Sequence, residues 1–169
     1  QKLKSKNFNP KIIKVDTNKE NKLFKKIDNE YFFNETNKEN LLFVIELSKI
    51  LKLNVKLLLK TIQKFKGLKY RQQIIFNNKY LKIINDSKST SFASSIGILK
   101  ANYNIYWLIG GIHKKGDKLN LPKKYYRNIK AFIFGREKNF FNKQLKGKIT
   151  CENFNNLDAA LKRILILIK

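Results

Sequence analysis

Asp86, Lys88 and Thr90 alternate along one short polar run, Asn85-Asp86-Ser87-Lys88-Ser89-Thr90-Ser91, and the run sits at a junction. Before it lies an apolar strand pattern, Tyr80 to Ile84. After it a helical pattern begins, with Phe92, Ile96 and Leu99 four and three residues apart. A strand that delivers an acid, a lysine and hydroxyls to a helix N-terminus is a common way to build an anion site, because unpaired N–H groups and the positive dipole end point there. Asp86 is suited to a ribose hydroxyl pair or to plain helix capping. Lys88 and Thr90 are suited to a carboxylate, or to a solvated loop.

A second junction follows the strand pattern Ile105-Tyr106-Trp107-Leu108-Ile109. There Gly110-Gly111-Ile112-His113-Lys114-Lys115-Gly116-Asp117 combines two glycines, which let the backbone turn sharply, with a mobile point charge. A bare strand-exit turn with solvated lysines fits as well. His113 is the single histidine, read as a surface loop residue, so no Ser-His-Asp or Cys-His arrangement can be argued. Cys151 is the single cysteine, read as a small buried apolar residue. It excludes an intramolecular disulfide and multi-cysteine zinc clusters, and favours a reducing, cytoplasmic setting. No G-x-x-x-x-G-K-[ST] loop occurs, so a phosphate cradle of that type lies outside these residues.

The elements that must carry these loops read as follows. Strands are expected over 11–15 and 31–33. A helix over 38–53 shows a stripe of Leu41, Leu42, Ile45, Leu47, Ser48 and Leu51. A second helix carries Val55, Leu58, Leu59, Ile62 and Phe65 and closes at Gly67, which makes an αα-hairpin. After the candidate hinge Gly67-Leu68-Lys69-Tyr70-Arg71 comes a hairpin around Asn77-Asn78. Helices over 91–101, 121–128, 136–145 and 155–168 then alternate with strands over 104–109, 129–134 and 148–151. Such alternation predicts a mostly parallel sheet covered on both faces, with ligands outside its carboxyl edge. Asp86 and Gly110-Gly111 then share one crevice.

The 169 residues are 43% apolar, enough for a real core, and no apolar run reaches membrane-spanning length. Lys and Arg exceed Asp and Glu by 37 − 12 = 25, which raises a basic nucleic-acid-binding module as one alternative. Only Arg71, Arg127, Arg136 and Arg163 are arginines, and the lysines are spread evenly among Asn, Ile and Leu. Base readers lean on the arginine fork, so this composition argues against a dedicated reader. A non-catalytic remnant serving as an interaction surface is the other alternative.

Taken in order, several segments resemble the D-glutamate-adding Mur ligases. Asn37-Lys38-Glu39-Asn40 resembles the family's H-N-x-x-N. Phe65-Lys66-Gly67-Leu68-Lys69-Tyr70-Arg71 resembles F-x-G-L-x-H-R, and Ile84 to Ser91 resembles I-N-D-S-K-A-T-N. Leu108-Ile109-Gly110-Gly111 with Lys114 and Asp117 resembles L-I-x-G-G-x-x-K-x-x-D, and Phe134-Gly135-Arg136 resembles F-G-[RK]. The sequence departs at Asn34, where a glycine is usual, and at Thr36 and Tyr70, where histidines are usual.

The resemblance implies an α/β chain in which 1–66 end a P-loop-type ATP-binding central domain and 67–71 form a hinge. Residues 72–169 would then make an incomplete Rossmann-like domain that binds D-glutamate. It implies a cytoplasmic, monomeric, ADP-forming amide ligase of peptidoglycan synthesis. Its partners would be ATP, Mg2+, UDP-N-acetylmuramoyl-L-alanine and D-glutamate, with an acyl-phosphate intermediate. Asn40 would contact adenine, and Arg71 and Asp86 the phosphate and ribose sides of the nucleotide. Lys88 would stand near the reacting groups, while Thr90 and Lys114 would hold a D-glutamate carboxylate. The resemblance begins after the family's P-loop and carbamylated lysine and ends before its S-P-A-x-A-S-F-D-x-F segment. The main metal ligands and the phosphate cradle are therefore expected elsewhere, and this piece alone is expected to be inactive.

Overall fold

A computed structural model of the chain describes residues 12–16 and 24–168. Three helices begin at asparagines whose side chains accept an amide hydrogen from the first turn. Asn34 starts α1 (Glu35–Ile50), Asn54 starts α2 (Val55–Lys64) and Asn156 starts α5 (Leu157–Leu167). Each cap satisfies a donor that the helix cannot pair internally. The α1–α2 pair encloses a small core of Ile27, Phe32, Leu41, Ile45 and Ile62.

Neither strand expected before α1 forms. Residues 12–16 carry no regular element, and Lys11 lies outside the described residues. Residues 30–32 make a 3-10 turn instead, capped by Asn29, whose amide donates to Ile62 O at 2.8 Å and Phe65 O at 2.9 Å. Tyr31, Phe32 and Phe65 pack ring against ring. Contact with the end of α2 thus replaces the alternation a strand needs. Leu47 and Leu51 are exposed rather than part of the buried stripe; the buried face of α1 is Asn37, Leu41, Leu42, Ile45 and Ser48. Nor does Gly67 cap α2, which ends at Lys64 with Phe65 as its C-cap. Gly67 has φ +79°, and a Cβ there would lie 2.6 Å from the Tyr31 ring, so the glycine lets the connecting chain pass close to that ring.

Beyond the connection, β1 (Gln73–Asn77) and β2 (Lys82–Asn85) form an antiparallel hairpin, bulged between Ile74 and Phe76. Then come α3 (Phe92–Ala101), β3 (Ile105–Ile109), a 3-10 turn (Lys123–Asn128), β4 (Ile129–Phe134), α4 (Lys138–Leu145), β5 (Thr150–Phe154) and α5. Strands β3, β4 and β5 are parallel, in that order, with β4 central. The last strand lies two to three residues beyond its expected place. The expected helix over 121–128 is a 3-10 turn, because Pro122 and a return to extended backbone at Ile129 leave it too short for α-helix.

Strand β4 shows why the sheet is covered twice. Ile129, Ala131 and Ile133 face a core with Phe92 and Leu99 of α3 and Phe141 and Leu145 of α4, while Phe132 faces Ala160 and Ile164 of α5. A strand's two-residue period sends alternate side chains into the two layers. Glu152 of β5 ties the layers at one edge, pairing with Lys130 at 2.5 Å and Arg163 at 3.0 Å. Phe132 is fully buried, whereas Ile166 of α5 is exposed. Phe132→Ala should lower the unfolding free energy by about 3–5 kcal/mol, and Ile166→Ala should change it little; urea denaturation followed by far-UV circular dichroism measures both.

Candidate functional site

The loops that leave β2 and β3 meet at the start of α3. Ser91, the residue preceding the helix, makes no capping bond of its own. The amide of Phe92 donates instead to Asp117 Oδ2 at 2.9 Å, across 25 residues of sequence. The Gly110–Asp117 loop is thereby held against the segment carrying Asp86, Lys88 and Thr90. Asp117 also donates its own amide to the Lys114 carbonyl at 3.0 Å, closing a turn beneath Lys114. Gly110 has no room for a side chain, since a Cβ would sit 2.7 Å from the Phe134 carbonyl. Gly111 and Gly116 hold φ values of +101° and +79°. Lys114 and Thr90 are both exposed. Around Thr90 the Ser89, Ser91 and Ser94 hydroxyls bond one another, Ser89 to Ser94 at 2.5 Å.

Asp86 is the acid of the other wall. Its Oδ1 accepts from the Gln72 amide at 3.0 Å, and its Oδ2 is buried with no hydrogen-bond donor among the described residues. Burial pushes its carboxyl above the ordinary value near 3.8; the Gln72 amide, the Ser89 hydroxyl and the Arg71 charge oppose this only partly. Ser89 lies close enough to act on the carboxylate without satisfying Oδ2. Arg71 is exposed beside it, and Lys88 donates its amide to Tyr70 O at 3.1 Å, with its ammonium 5.8 Å from the Tyr70 ring.

Gln72 joins this wall to α1. With φ +48°, a conformation rare outside glycine, its side-chain oxygen accepts from Asn34 at 2.9 Å and from buried Asn37 at 3.1 Å. Asn40 stands exposed one turn further along α1. The structure therefore brings Arg71, Asp86 and Lys88 into one loop cluster, ties the loop that carries Lys114 to the start of α3 two residues after Thr90, and connects Asn40 to the cluster through α1, Asn37 and Gln72.

Three residues of this constellation carry no motif signal: Gln72, Glu137 and, in its capping role, Asp117. The D closing the G-G-x-x-K-x-x-D spacing was the available hint for Asp117. His113 is not a free surface residue. It is half-buried, its ring stacks on Phe140 at 3.8 Å, and both its amide and its Nδ1 bond the Glu137 carboxylate. Cys151 is half-buried against the core with its thiol pushed up by burial, as a small apolar residue would be.

The chain is 35% identical over 125 residues to the UDP-N-acetylmuramoylalanine–D-glutamate ligase of Rickettsia felis, covering 73% of this chain and 28% of that protein. The ligase of the same name from Francisella tularensis is 31% identical over 134 residues, covering 77% and 32%. That from Wolbachia of Brugia malayi is 30% identical over 127 residues, covering 75% and 26%. Over these stretches the chain is similar to part of the D-glutamate-adding Mur ligases. It spans about a quarter to a third of the length of those relatives. No family model matches it. Among solved structures, MurF from Acinetobacter baumannii superposes with a TM-score of 0.59 at 18% identity, over 80% of this chain and 31% of that one, which establishes the shared α/β fold. No described helix of the ligase-like chain is long and apolar enough to cross a membrane.

The Asp86 carboxylate makes folding and site chemistry pull in opposite directions. A folded-state pKa raised above the unfolded value means that the native state holds the proton more tightly. Its contribution to stability is then full below about 3.8 and lost as pH rises through the raised value. Asp86→Asn should therefore be more stable than the parent at pH 7 and lose that part of the pH dependence, as urea unfolding between pH 3 and 7 would show.

Proposed function

We propose that this chain forms the D-glutamate-holding wall and part of the nucleotide-facing wall of a cytoplasmic, ADP-forming amide ligase. The whole enzyme would join D-glutamate to UDP-N-acetylmuramoyl-L-alanine in peptidoglycan synthesis. The observation that carries the reading is the joining of two motif loops at α3 by the Asp117 cap, each loop carrying an exposed candidate, Thr90 in one and Lys114 in the other. The names of the relatives supply the substrate, and the fixed N–H groups, hydroxyl and ammonium suit a carboxylate.

In this reading 1–66 complete the nucleotide-binding domain, 67–71 are the hinge and 72–169 are the amino-acid domain. Lys114 and Thr90 orient the D-glutamate carboxylate so that its amine meets the activated acyl group. Lys88 stands by the reacting centre and opposes the negative charge that develops there. Asp86 and Arg71 face the ribose and phosphate sides of ATP, and Asn40 the adenine. The buried Asp86 oxygen without a donor, beside an arginine, fits a hydroxylated, anionic ligand. Magnesium, when bound, would supply charge neutralisation at the phosphates. Its main ligands are assigned, as the family resemblance implies, to parts of the enzyme that this chain does not match. The reading makes the chain by itself inactive and monomeric.

The test replaces the matching stretch of the Rickettsia felis ligase with residues 24–168 of this chain. The graft should release ADP only when D-glutamate is present. Lys114→Ala should raise the KM for D-glutamate about ten- to a hundredfold, the loss of one charge-assisted contact. ADP release indifferent to D-glutamate or to Lys114 would refute the assignment. Tight, salt-sensitive binding of DNA or RNA by this chain, with no response to D-glutamate, would put the lysine excess first.

A further inference from the structure

The His113 cluster is unused by the reading above, yet it is adjacent in sequence to Lys114. Glu137 precedes α4 in the capping position but makes no capping bond with its side chain. Its Oε2 instead accepts from the His113 amide at 3.1 Å and bonds the ring Nδ1. The His113 ring stacks on Phe140 at 3.8 Å and 14°, and Phe140 stacks in turn on Phe92 at 6.1 Å and 25°. Phe92 is the same residue whose amide donates to Asp117 at the other end of the loop. Lys114 therefore lies between two anchors that both end on Phe92, one through a backbone hydrogen bond and one through a stack of rings.

Resting on the D-glutamate reading, we infer that Glu137 and His113 are positioning residues for Lys114, setting affinity for the amino-acid substrate without touching it. A lysine has four rotatable side-chain bonds, so its usefulness as a carboxylate partner depends on a fixed backbone origin. The two glycines at positive φ would otherwise leave the loop free to wander. The Glu137 carboxyl is held below its ordinary range, chiefly by the bond to the His113 ring and then by the His113 amide, consistent with an ionised acceptor at neutral pH.

The experiment uses the 169-residue chain itself, 15N-labelled, with two readouts: amide hydrogen exchange at residues 112–116 without ligand, and a D-glutamate titration. Glu137→Ala should speed exchange in the loop at least about tenfold and weaken D-glutamate binding about five- to tenfold, with β4 and β5 protection unchanged. Glu137→Gln keeps an oxygen acceptor for the His113 amide and should stay within about twofold of the parent. A merely structural role would not produce that rescue. Parent-like exchange or parent-like affinity in Glu137→Ala, or a Glu137→Gln as weak as Glu137→Ala, overturns the positioning role while leaving the D-glutamate site standing. A parent chain that does not respond to D-glutamate overturns both. Should Glu137→Ala lose strand protection, His113→Ala, which removes the stack but spares the backbone bond, decides on the same two readouts: a looser loop and weaker binding support the role, parent behaviour overturns it.

Discussion

An amide at a helix start needs an acceptor, and at α3 that acceptor comes from another loop. Phe92 donates to Asp117, so the helix that opens the α/β unit and the loop that leaves its first parallel strand are joined by one bond. Helices α1, α2 and α5 carry their own asparagine caps and make no such demand. Neither α3 nor α4 has a side-chain cap from the residue that precedes it, and the Gly110–Asp117 loop is tied to both starts. The meeting of the loops that carry Thr90 and Lys114 is a consequence of where those unpaired groups find partners.

The α1–α2 pair and the α/β unit have separate cores, and polar contacts bridge them. Gln72 links the Asn34 and Asn37 amides to the Asp86 carboxylate, while Lys100 pairs with Glu35 at 3.1 Å. Gly97 of α3 lets Thr36 approach, with the hydroxyl 3.0 Å from where a Cβ would be. Few apolar contacts are needed for such a junction. Its geometry depends on a residue held in the left-handed region, and on a half-buried carboxylate whose ionisation costs stability.

Much of the α/β unit was legible because its signals are local. The alternation in Ile129 to Phe134 sorts its side chains to two faces, and the structure uses both. The helix pair was legible from periodicity and from Asn54. The 3-10 turn that stands where a strand over 31–33 was expected was not, since Tyr31 and Phe32 owe their conformation to Asn29 reaching the end of α2, more than thirty residues away. Leu47 and Leu51 were misassigned because α1 is apolar over more than one face and only packing chooses among them. His113 looked solvated because nothing nearby in sequence announces Glu137 or Phe140.

The sequence alone determined the residue types, their order along the chain, and the strand-then-helix junctions at which Asp86, Thr90 and Lys114 fall. Those features follow from side-chain chemistry and backbone periodicity within a few residues. Only the tertiary structure decided that Asp117 closes α3, that Gln72 carries α1 to Asp86, and that His113 is held by Glu137 over Phe140. Each of these satisfies a buried donor, acceptor or ring with a partner 14 to 38 residues away. A partner at that distance is chosen by the packed core rather than by local preference.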